Sequence, residues 1–212
     1  VGPAMLYSLG RRAVRPALPR PMARPFPWLG CRALATGVIP GVPRKLDDVV
    51  KLELFEKMKP DGILEIWTKH HAHKPELAAA TASSNELDRI LERGAESPSF
   101  VWPVRRQSGH ILLYSQFAPA HSMFAFTFLE DYRRSPGLAP PWMSVLLYGE
   151  LVPTKGIALL RAESDSDRLT KEETEGLLAL LRRFYATDDY DKVWAFNHFQ
   201  RRFDVEAYLK SV

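Results

Sequence analysis

The chain of 212 residues holds a single cysteine, Cys31, near its N-terminus. The body that follows has none, which excludes disulfides and cysteine-ligated metal sites there. No two of the 12 glycines stand at G-x-G spacing, and no G-x-x-x-x-G-K-[ST] run occurs. The dinucleotide fingerprint and the phosphate-binding loop are therefore both missing. So are the G-x-S-x-G elbow of hydrolases and the H-E-x-x-H of zinc proteases. No apolar stretch approaches the roughly 20 residues that a membrane helix needs. One region lacks a charge sign altogether: no Asp or Glu occurs before Asp47.

In that acid-free region stand seven arginines and Lys45, a charge of +8. The whole chain carries 29 basic and 25 acidic residues, so residues 47–212 hold 21 basic against 25 acidic and carry −4. A nucleic-acid binder spreads basic residues over its folded face; this body is mildly acidic, and nucleic acid is not expected as a partner. Eight of the 17 prolines also precede residue 46, a density no helix or strand interior tolerates. Such composition reads as a mitochondrial transit peptide. Met5 opens MLYSLGRRAVR, with Leu6, Leu9, Ala13 and Val14 on one helical face, and CRALAT (31–36) has the look of a matrix cleavage region. Val1–Ala4 would then lie upstream of the start. The expected organisation is a targeting segment over 1–45 and one domain over 46–212, long enough for a proper core.

Within the body the period of apolar residues changes once. LDDVVKLELFEKM (46–58) sets Leu46, Val50, Leu54 and Met58 on one helical stripe. Pro60 opens a second helix with Ile63, Ile66, Trp67 and His70 aligned. Ser83-Ser84-Asn85-Glu86 is a capping box that starts a third, carrying Leu87, Ile90 and Leu91 and stopped by Gly94 and Pro98. From Ser99 the period is two. SFVWPVR (99–105), HILLYSQF (110–117), SMFAFTF (122–128), WMSVLLYGELV (142–152) and KGIALLRAE (155–163) read as five strands. Pro103 suits only an edge strand, and the short connections imply an antiparallel meander. A second capping box, Thr170–Glu173, starts an amphipathic helix with Leu177, Leu178, Leu181 and Phe184. Segments around DKVWAFNHF and VEAYLKSV close the chain. The expected fold is α+β: a single antiparallel sheet of about five or more strands with helices packed against it.

Catalytic groups are not conspicuous. His70 and His73 could offer two nitrogens to a metal, with His71 between them, but they sit beside Trp67 on an apolar stripe near a helix C-terminus, and packing is the preferred reading. Glu163, Asp165 and Asp167 form an acidic turn without the glycine that a calcium loop needs. No enzyme activity, metal or cofactor is expected. What stands out is a run of residue types enriched at protein interfaces. Tyr132, Arg133, Arg134, Leu138, Pro141 and Trp142, with Phe124 on the strand before them, are the expected partner-binding residues, the arginines meeting acidic groups.

The order of motifs then becomes informative. LDDVVKLELFEKMKPDGILEIWTKHHA, SPSFVWPV, GHILLYSQF, FTFLEDYRRSPGLAPPWMSVLLY, ELVPTKGIALLRAE and RRFYATDDYDKVWAFNH follow one another over about 150 residues. In that order they resemble the mitochondrial ATP synthase assembly-factor family, which chaperones the β subunit of the catalytic head. The resemblance implies a non-enzymatic protein of the mitochondrial matrix, without stable membrane insertion. It would bind the free β subunit and mask its apolar surface until the α subunit displaces it. A different reading on the same fold is a permanent accessory subunit of an ATP synthase.

Overall fold

A computed structural model describes residues 39–107 and 109–212. A 3-10 turn, Leu46–Asp48, leads into helices α1 (Leu52–Glu56) and α2 (Pro60–Ala72). Strand β1 (Leu77–Ser83) and helix α3 (Ser84–Glu96) follow, then the hairpin of β2 (Ser99–Arg106) and β3 (Gly109–Ala118). Next come β4 (Met123–Phe128), α4 (Leu129–Arg134), β5 (Pro141–Tyr148), α5 (Val152–Lys155) and β6 (Ile157–Ser164). Helices α6 (Lys171–Ala186), α7 (Tyr190–His198) and α8 (Val205–Ser211) complete the described chain.

The six strands form one antiparallel sheet in the order β1-β6-β5-β4-β3-β2. The five expected strands make the meander, and β2, with Pro103, lies at an edge where a missing N–H breaks no ladder. The sixth strand, β1, was not expected. It pairs with β6 along its whole length, from Leu77↔Glu163 to Ser83↔Ile157. The fold is therefore the α+β class read from the sequence, with one strand more.

Residues paired across neighbouring strands share a face, and the two faces differ. One carries Phe100, Trp102, Phe117, Phe124, Phe126, Val145, Leu147, Leu160 and Ala162, all buried. Helices α3, α6, α7 and α8 cover it, bringing Ile90, Leu181, Phe184, Phe196 and Tyr208 into the same cluster. Both capping boxes act where expected. The Ser83 hydroxyl accepts the Glu86 N–H, and the Thr170 hydroxyl accepts the Glu173 N–H while Glu173 accepts that of Thr170. Gly94 does not stop α3. It lies inside the helix, where an added Cβ would come within 3.0 Å of the Phe117 ring and 3.1 Å of Phe124, so the glycine lets the helix lie close on the sheet.

The other face has a smaller core of Leu46, Phe55, Ile63, Trp67, Met123, Leu146, Tyr148 and Leu159 under α1 and α2. Fully buried Trp67 spans α2 and the sheet, its Nε1–H donating to the carbonyls of Ala80 and Leu160 at 3.2 and 3.3 Å. The single helix expected over 46–58 is broken instead. Lys51 is extended (ψ 94°), separating the 3-10 turn from α1, so Phe55 and not Leu54 points into the core. In α2 the buried stripe is Ile63, Trp67 and His71, leaving Ile66 and His70 outside.

Residues 39–45, grouped with the N-terminal segment by charge and proline content, pack on this second face. Gly41 is buried at φ +85°, and a Cβ there would lie 2.5 Å from Pro141 Cγ. The targeting character read for the chain's first residues, up to 38, falls outside the described residues.

Candidate protein-binding surface

The expected interface residues do not form one surface. Phe124, on β4, is fully buried between Phe117 and Tyr185, with ring centroids at 4.6 and 4.9 Å. Tyr132 points inward from α4 onto Tyr114, 4.4 Å between rings, and is buried as well. Both side chains serve the core, and neither is open to a partner here. Trp142 is half-buried, stacked on Phe128 at 4.9 Å with the Arg168 guanidinium 5.0 Å above its ring. Pro141 lies half-buried beneath Gly41. Arg133 pairs with Glu130 at 2.8 Å. Arg134 and Leu138 do face solvent, and Leu138, 78% exposed, is the most exposed large apolar residue among those described. The alternation of FAFTF already carried the inward sign of Phe124; residue type outweighed it.

The concave apolar feature lies elsewhere, between α1 and α2. A groove of about 290 Å³ is lined by Val49, Val50, Leu54, Phe55, Met58 and Ile66, with Trp67 in the lining as well. Two lining residues stay in water, Leu54 at 54% and Ile66 at 43%. These are the positions that helical spacing assigned to a core stripe. The break at Lys51 turns Leu54 outward, and Ile66 lies off the buried stripe of α2. Two β-branched residues, Val49-Val50, precede the break, and such residues are weak helix formers.

Beneath α2 the second face is polar along one row. Ser99, Gln116, Ala125, Ser144, Glu163 and Leu77 are successive partners across all six strands. Glu163 is fully buried. Arg161 Nη2 stands 3.1 Å and Arg44 Nε 3.4 Å from its Oε1, close enough for ion pairing. Their angles leave both carboxylate oxygens without a hydrogen bond among the described residues, and Ser144 Oγ and Tyr148 OH share that state. Burial pushes the Glu163 carboxyl above its usual range, while the two guanidiniums pull the other way. His71 is buried close by. Its Nδ1–H donates to the Trp67 carbonyl at 2.7 Å, and burial holds its pKa down to about 4 despite that bond. His71 is thus a neutral packing residue, while His70 is exposed against Lys74. No group of three His, Cys, Asp or Glu among the described residues is arranged to hold a metal, and no described helix is long and apolar enough to cross a membrane.

Among the described residues the surface thus offers an apolar groove and an exposed leucine loop, with a polar row buried beneath. The model of one family, the ATP11 protein, matches residues 40–208. The chain belongs to the ATP11 family. Among named members it is 27% identical over 157 residues to a human protein called ATP synthase mitochondrial F1 complex assembly factor 1, covering 73% of this chain and 47% of that one. A protein of the same name from Danio rerio is 25% identical over 158 residues, 73% and 51% of the two chains. Protein atp11, mitochondrial, from Schizosaccharomyces pombe is 21% identical over 144 residues, 66% and 50%. The chain spans about half the length of these relatives. The ATP11 match begins at residue 40, so the stretch packed over Pro141 falls within it.

Proposed function

We propose that this chain is an assembly chaperone of the mitochondrial F1 complex, acting in the matrix on the free β subunit. The observation that carries the reading is the ATP11 family match over almost the entire described body, joined to relatives named as F1 assembly factors. A subunit awaiting assembly exposes apolar surface that its neighbour will later cover, and such patches aggregate. The groove between α1 and α2, with Leu54 and Ile66 at its mouth, takes apolar side chains of β, and Leu138 and Arg134 add a second contact. Exchange of β between the chaperone and α calls for fast release more than for maximal affinity. Masking and release need no bond chemistry, so the chain acts without enzymatic turnover, and α displaces it by competing for the same surface.

The direct test is light scattering from purified β subunit diluted out of denaturant, with and without the chain, followed by addition of α. Suppressed scattering, then release of the chain on size exclusion when α is added, is the expected outcome. Undiminished aggregation of β at a molar excess of the chain would refute the reading.

A further inference from the structure

Residues Ile39–Arg44, the sequence IPGVPR, lie across the polar part of the second sheet face. Among the described residues no backbone hydrogen bond ties them to the sheet. They are held by the fit of Gly41 on Pro141, by the long contact of Arg44 with Glu163, and by Leu46, buried at the start of the next turn. Val42 is turned to solvent. The segment can therefore lift from the sheet without breaking a ladder. What it covers is unusual: a carboxylate inside a six-stranded sheet, with unused acceptor capacity on both oxygens, directly across from the unpartnered hydroxyl of Ser144. Buried acceptors without donors are costly. A guanidinium approaching squarely would form the two short, charge-assisted hydrogen bonds that Arg44 Nε, at 3.4 Å, does not make.

We propose that residues 39–44 are an internal stand-in for a ligand, and that the strip beneath them (Pro141, Ser144, Arg161 and Glu163) is a docking site for an extended, basic, proline-containing segment of the client. An arginine of that segment takes the place of Arg44 on Glu163. Proline and glycine keep such a segment extended at little entropic cost, and its side chains are read by pockets while its backbone stays solvated. Arg161 pairs with one oxygen of Glu163 from within the sheet, and the Arg44 guanidinium approaches the same carboxylate from the segment's side, so a cation of the client fits where Arg44 now stands. The identity of the client rests on the chaperone reading above; the strip and its occupant rest on the geometry alone.

The test compares Arg44→Ala and Glu163→Gln in the full chain, with two probes: purified β subunit, and a synthetic peptide of residues 39–46. If Arg44 competes with the client, Arg44→Ala raises the competent fraction and tightens β-subunit binding by about three- to tenfold. Glu163→Gln removes the anion and weakens it by a similar factor. A merely structural ion pair would make the two variants behave alike. Shifts in the same direction, or none, overturn the proposal. The peptide should bind Arg44→Ala and fail to bind the double variant; equal binding to both, or to neither, also overturns it. If wild type ignores the β subunit, the chaperone reading falls and the peptide arm alone judges the strip. If Glu163→Gln melts below assay temperature, the response of Arg44→Ala to the β subunit decides: tighter binding sustains the proposal, and unchanged or weaker binding overturns it.

Discussion

At the scale of single residues, burial against polarity decides the outcome. Burial disfavours the charged form of His71: its pKa in the folded chain is about 4, against about 6.5 when unfolded. The unfolded state therefore takes up the proton first, and the stability linked to His71 is complete above about pH 6.5 and drains away as the pH falls towards 4, by about 3 kcal/mol. Glu163, raised by burial, works in the opposite sense, but it is unchanged in a His71→Leu variant. Urea midpoints at pH 7, 5.5 and 4 should consequently fall less steeply for His71→Leu than for wild type. Parallel curves would show that the imidazole contributes nothing to acid lability. Gly94 is the steric counterpart. Alanine there gains helix propensity of about 1 kcal/mol, but its Cβ must push the Phe117 and Phe124 rings apart in a close-packed layer. Overpacking of this kind costs about 1–3 kcal/mol, so thermal melting of Gly94→Ala should show net loss. A rise in midpoint would mean that the rings yield freely.

At the scale of elements, the α1–α2 pair carries the clearest functional expectation. Leu54 and Ile66 are both exposed, at 54% and 43%, so replacing both with glutamate should leave the thermal midpoint within a few degrees of wild type. Client binding should nonetheless weaken about tenfold or more, because charge enters an apolar groove. Titration of labelled β subunit checks it, and unchanged affinity with an intact fold would move the contact elsewhere. The same pair marks where sequence reading reached its limit. Helices with caps, Ser83–Glu96 and Thr170–Ala186, were legible because their start signals and apolar stripes agree. The meander was legible because Phe, Val and Leu alternate between turns. The strand Leu77–Ser83 was not, since LAAATAS has neither alternation nor β-branched weight. It is a strand because it pairs with β6 along its whole length, with α6 and α2 packed against it. The break at Lys51 was hidden for a related reason: four apolar positions matched a helix, but docking Leu46 and Phe55 into one core required two short turns at different angles. Of the interface residues read from composition, Phe124 on β4 and Tyr132 on the inner side of α4 went to the core, while Arg134 at the end of α4 and Leu138 in the connection after it stayed outside.

At the scale of the whole molecule, the sheet is flanked unequally. β4 and β5 lie in its middle, with partners on both sides, whereas β1 and β2 each have one. Amide hydrogen exchange should be slowest in Phe124–Phe126 and Val145–Leu147 and faster in β1 and β2. Slowest exchange in β1 would contradict this ranking. The strand order has a further consequence for how the chain is made. A ribosome delivers β1 first, yet its one neighbour, β6, begins 74 residues later, counting from Ser83 to Ile157. At about 5–20 residues per second that interval lasts roughly 4–15 seconds. A strand of leucines or valines left unpaired for so long would stick to whatever it met. Leu-Ala-Ala-Ala-Thr-Ala-Ser offers little to stick with, so the alanines that conceal this strand from pattern reading also let it wait safely for its partner.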